Sequence, residues 1–63
     1  MKTAREFVQD MFDATIDIIP MSLETARHDL DSFRKEEWDV PEDLDAERFC
    51  ELWNELIHWN ETH

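Results

Sequence analysis

The chain has 63 residues, with 6 Lys and Arg against 17 Asp and Glu and a formal net charge of -11. A chain this short makes one small domain, residues 1–63, without room for a cleft, a cofactor and a separate core, so no enzyme is expected. The charge excludes direct binding to nucleic-acid phosphates and disfavours an anionic membrane surface, which leaves a basic partner.

Composition points to helices. Gly is absent, where an average chain carries about 7%. Tight β-hairpins need Gly in their turns and are therefore not expected. Hydrophobic residues reach 41%, including 3 Trp and 4 Phe, too many for a disordered acidic tail. No apolar run is long enough to span a bilayer. Lys2 and Arg5 are followed by Glu6 and Asp10 without an apolar stretch, so no signal peptide is expected. The single cysteine, Cys50, has no internal partner and fits a reducing cytosol, giving a cytoplasmic expectation.

The predicted fold is all-α, a three-helix domain with helices near residues 4–18, 22–36 and 45–60. Thr3 and Glu6 form a capping box at the start of the first helix. Phe7, Val8, Met11, Phe12, Thr15, Ile16, Ile18 and Ile19 follow at helical spacing. Pro20 ends that helix. Residues 15–19 are rich in β-branched side chains, so a short extended segment there is the alternative.

Ser22 is the expected N-cap of the second helix, with Glu24 in its first turn. Leu23, Ala26, Leu30 and Phe33 give it a narrow apolar stripe. Arg34 and Lys35 suit its C-terminal dipole. Trp38 is expected to fold back onto the stripe. Residues 39–44 read as a connection, with Asp45 capping the third helix and Pro41 as a possible earlier start. Phe49, Leu52, Trp53, Leu56 and Ile57 form that helix's apolar face. The expected buried set is Phe7, Met11, Leu30, Phe33, Phe49, Trp53 and Leu56.

The acids are the candidate binding residues. Glu6, Asp10, Asp13 and Asp17 are spaced 4-3-4, one stripe on the first helix. Glu47, Glu51 and Glu55 form a second stripe on the third. Glu36, Glu37, Asp39, Glu42, Asp43, Asp45 and Glu47 place seven acids in twelve residues with no base among them. Like charges at i,i+4 cost a few tenths of a kcal/mol per pair, so stability alone favours bases at some of these positions. Helical acids lie roughly 4.5–6 Å apart along the axis. A DNA strand carries a charge about every 3.4 Å. Two stripes and an acidic loop thus approach duplex charge density over a short stretch. The plainer readings are a solvated face that aids solubility, or salt adaptation.

Other chemistry is sparse. Glu55 and His58 have the Glu-x-x-His spacing of carboxylate-bridged metal sites, but the second pair those sites need is missing, so no metal is expected. Cys50 beside Phe49 reads as a small core residue. No catalytic triad, P-loop or paired-cysteine motif is present, and no cofactor is expected. Trp53 is in phase with the core, whereas Trp38 and Trp59 lie near segment ends, where Trp covers a core or anchors an interface.

In size, acidity and helical character the whole chain resembles phage-encoded inhibitors, in particular anti-CRISPR proteins that act as DNA mimics. The resemblance is one of profile. It implies a stoichiometric inhibitor on the basic DNA-reading surface of a Cascade subunit in a type I system such as I-C. The partner-binding residues would then be Asp10, Asp13, Asp17, Glu36, Glu37, Asp39, Glu42, Asp43, Asp45, Glu47, Glu51 and Glu55. The expected state is a monomer or weak homodimer, inside a host bacterial cell if phage-encoded. The competing reading is a small helical interaction module, such as an antitoxin, adaptor or assembly subunit, that binds through apolar residues at its helix ends.

Overall fold

A computed structural model describes residues 2–62 of the chain. Among the described residues three helices occur in order: α1 (Ala4–Ala14), α2 (Leu23–Lys35) and α3 (Ala46–Thr62). No strand is present among the described residues. The expected all-α, three-helix domain is the observed fold.

The capping box at α1 is complete. Glu6 N donates to Thr3 Oγ1 at 3.1 Å, and Thr3 N donates back to Glu6 Oε1 at 3.3 Å. Ser22 caps α2 through its hydroxyl, which accepts from Thr25 N at 3.2 Å. Asp45 Oδ1 accepts from Arg48 N at 2.8 Å and caps α3. Each cap satisfies a backbone donor that the first helical turn leaves open.

α1 stops at Ala14, four residues before the expected boundary. Thr15 turns extended, with ψ 130°, while its hydroxyl donates to Met11 O at 2.7 Å. Beyond it, β-branching and the restriction Pro20 places on Ile19 favour extended backbone. Helix α3 then takes up the polar groups that a helix would have paired. Trp53 Nε1 donates to Ile19 O at 2.9 Å. Met21 N donates to Asn54 Oδ1 at 2.9 Å, and Asn54 Nδ2 donates to Met21 O at 3.0 Å. Cys50 Sγ also donates to Met21 O. Ile16, Ile18 and Ile19 are exposed rather than on a core stripe, Ile16 at 95%.

α2 ends in a Schellman motif. Glu37 occupies the left-handed position at φ 60° that glycine usually fills. Trp38 N donates to Phe33 O at 2.9 Å, and Glu37 N to Arg34 O at 3.2 Å. The apolar contact that accompanies this motif is Trp38 on Phe33, stacked at 4.6 Å between ring centroids. Trp38 therefore does fold back onto the α2 stripe. Next comes a turn closed by Leu44 N donating to Pro41 O at 3.1 Å. Pro41 and Leu44 are buried, and Glu42 and Asp43 stand exposed between them. Pro41 thus belongs to this turn, and α3 does not start there. Arg34 Nη2 donates to Leu44 O and ties the turn to α2.

The core is built on α3, against which α1 and α2 both pack. Of the expected buried set, Phe7, Leu30, Phe49 and Trp53 are buried; Met11, Phe33 and Leu56 are partly buried against them. Ala4, Val8, Phe12, Ala26, Leu44 and Leu52 complete the core. Edge-on ring contacts join Phe12 to Trp53 at 5.1 Å and Phe7 to Phe33 at 6.0 Å. The backbones of α1 and α2 stay apart, and the gap between them is a groove floored by α3.

Candidate functional site

The twelve candidate acids are all exposed. Caps and turns position most of those in the 36–47 run. Glu36 is the C-cap of α2, and Glu37 follows it in the left-handed region. Glu42 and Asp43 are the tip of the turn that Pro41 and Leu44 anchor. Asp45 spends one carboxylate oxygen on its capping bond, and Glu47 lies in the first turn of α3.

The acids form separate neighbourhoods around the body. Asp10 of α1 and Asp39 of the connection line one depression with Lys2, Phe7, Met11 and Trp38. Lys2 makes an ion pair with Asp10 there. The hydrogen bond to Asp10 and the Asp10 charge raise the Lys2 ammonium above its ordinary 10.5, with smaller contributions from Asp39 and Glu6. Asp45 and Glu47 lie beside Arg27, Asp31 and Arg34. Glu51 and Glu55 lie beside Arg5, His58 and Trp59.

The first-helix stripe is shorter than the sequence spacing suggests. Asp13, which accepts from Gln9 Nε2 at 2.9 Å, is its last helical member. Asp17 falls in the bend after α1, off the helical register, because the helix has already ended. The Glu47–Glu51–Glu55 stripe is intact on α3, with Glu51 paired to Arg48 at 3.2 Å.

Counter-charges are few. Among the described residues the ion pairs are Lys2–Asp10 and Arg48–Glu51, both between exposed side chains. Most carboxylates therefore face water without a cation. No group of three or more His, Cys, Asp or Glu among the described residues could hold a metal ion. No helix among them is long and apolar enough to cross a membrane.

Sequence reasoning did not single out Asn54 or Asp29. Asn54 holds the connection between α1 and α2, and Asp29 sits half-buried on the groove wall. The available signal was a polar side chain bordering an apolar helical stripe, which marks both positions.

No protein-family model matches the chain, and comparison with curated proteins and with solved structures gives no match.

Proposed function

We propose that this protein binds a basic, nucleic-acid-binding partner through its carboxylates and blocks the surface that would otherwise hold DNA. One observation carries the reading. Glu36 and Glu37 stand at the C-terminus of α2, where the helix dipole disfavours anions, and Glu37 also takes up a left-handed backbone. Two adjacent acids held where stability argues against them are accounted for by a use outside the fold.

Scale supports the same reading. The body is 34 Å long, close to the roughly 34–36 Å of one duplex turn. A turn of that length carries about 20 phosphate charges, against a net charge of -11 here. In its narrower form the proposal is an anti-CRISPR inhibitor acting on a Cascade subunit of a type I system. That complex is the first partner to assay.

The test is displacement of labelled duplex from that partner by the wild-type chain and by a variant with Lys at Glu36, Glu37, Asp39, Glu42 and Asp43. Charge reversal is expected to weaken displacement far more than Trp59→Ala. Unchanged affinity of the reversed variant would remove the mimic reading. Binding through apolar side chains would then take its place, a reading that the exposed Ile16 and Ile19 favour.

A further inference from the structure

The groove between α1 and α2 has a composition that the acidic surface does not explain. It encloses about 320 Å³, within the range of sites that hold a small group. Met11 lines it from α1, Phe33 from α2, and Phe49 and Trp53 form the floor. Ile19 and Pro20 of the connection, both exposed, form its mouth. One carboxylate, Asp29, stands on the α2 wall, half-buried. Among the described residues it has no hydrogen-bond or ion-pair partner. The hydroxyls at the rim are engaged: Thr15 donates to Met11 O, and Ser22 donates to Thr25 Oγ1.

We propose that this groove receives an arginine side chain presented by the basic partner. The inference rests on the function proposed above and names what the partner inserts. An aliphatic stem matches Met11 and Pro20. A planar, weakly hydrated guanidinium suits a wall that carries the partly exposed Phe33 ring, with the buried Phe49 and Trp53 beneath it. The same group presents paired donors to the Asp29 carboxylate, which a lysine ammonium does not. Charge complementarity selects this occupant over a purely apolar one. An aliphatic side chain would leave Asp29 partly desolvated and unpaired, and an anionic one would meet both Asp29 and the field of the whole chain. Asp39 lies beyond Met11 in the adjoining depression, beside the Lys2–Asp10 ion pair, and leaves that end of the groove net negative.

The experiment needs no partner. The isolated chain is titrated with N-acetyl-arginine methylamide while amide and indole N–H resonances are followed by NMR. The citrulline analogue is the uncharged control and the lysine analogue the point-charge control. Saturable shifts at the Trp53 indole and at the backbone of Asp29 and Thr25 are expected with the arginine probe. Asp29→Asn and the citrulline probe should each weaken binding about tenfold or more, the loss expected for a charge-assisted hydrogen bond. Thr25→Phe, which obstructs the rim and leaves the Ser22 backbone cap in place, should abolish the shifts. Equal binding of the citrulline probe, indifference to Asp29→Asn, shifts confined to residues outside the groove, or lysine bound as well as arginine would each overturn the inference. The duplex-displacement assay separates the two proposals. Displacement without arginine binding in the groove defeats this inference alone. Arginine binding without displacement supports the groove site and defeats the DNA-blocking function.

Discussion

Asn54 pairs both the N–H and the C=O of Met21 with one side-chain amide. It does for a single residue of extended chain what a neighbouring strand would do. Replacing it with Ala leaves the part-buried Met21 N–H unpaired, a loss worth about 1–3 kcal/mol, and leaves its carbonyl with the weaker Cys50 thiol as donor. A chain of this length has a total stability of only about 3–9 kcal/mol at typical per-residue values. Asn54→Ala is therefore expected to lower the urea midpoint strongly with little change in slope, while the Met21 amide loses its protection. An unchanged midpoint would show that the connection is held by Trp53 and apolar contacts alone.

Lys2 gives a residue-scale prediction with a pH signature. Its ammonium is held above the ordinary 10.5 by the hydrogen bond to Asp10 and that residue's charge. A group whose folded value is raised contributes stability that is complete below its unfolded value and is lost as pH rises through the folded one. Lys2→Met should accordingly be less stable than wild type at neutral pH. The two melting curves should converge as pH climbs beyond 10.5. The difference will be small, because the pair is exposed. A difference that stays constant across that range would assign the effect to the lysine stem.

At the scale of elements, the helix starts were legible because each is written in a few adjacent residues. Thr3 with Glu6, Ser22 and Asp45 all cap where local chemistry places them. The end of α1 was legible only as an alternative. Ile16, Ile18 and Ile19 fit a helical stripe in the sequence, β-branching and Pro20 argue for extended backbone, and bonds from Trp53 and Asn54, more than thirty residues away, hold that extended form. The acids were legible as exposed, but Asp17 left its stripe when the helix ended. Asp29 borders the apolar stripe of α2, a local sign of partial burial, but the groove that gives it interest lies between two helices and is not encoded locally.

The end of α2 carries the element-scale prediction. A left-handed backbone costs a residue with a Cβ roughly 1–2 kcal/mol, and Glu37 adds an unfavourable charge at the negative end of the dipole. Glu37→Gly removes both terms at the expense of about 0.4–1 kcal/mol of added unfolded-chain freedom. The net expectation is a gain of up to about 2 kcal/mol, read as a higher melting temperature. Glu37→Gln keeps the strain and removes the charge, so it should recover only part of the gain. A loss of stability in Glu37→Gly would mean that the Glu37 side chain holds the motif together. The proposed function adds a second readout: the stabilised variant should displace duplex less well.

For the whole molecule, charge acts in two directions at once. A net charge of -11 on so small a body repels itself, and added salt should raise the melting temperature of the isolated chain. Added salt should also slow its encounter with a basic partner, because the Debye length falls from about 10 Å at 0.1 M to about 3 Å at 1 M. Duplex suffers more. Its binding draws on release of condensed counterions, whose favourable contribution shrinks in proportion to the logarithm of salt. A folded protein with fewer charges over the same length has no comparable atmosphere to release, and its exposed pairs are worth only about 0–1 kcal/mol each. The affinity of this chain for the partner should therefore fall less steeply with salt than that of the DNA it displaces. A competition titration of partner, labelled duplex and this protein at two salt concentrations reads the difference directly. At the higher salt, fewer equivalents of protein should displace half of the duplex. Duplex and protein bound together, with no displacement at either salt, would place the protein away from the DNA groove altogether.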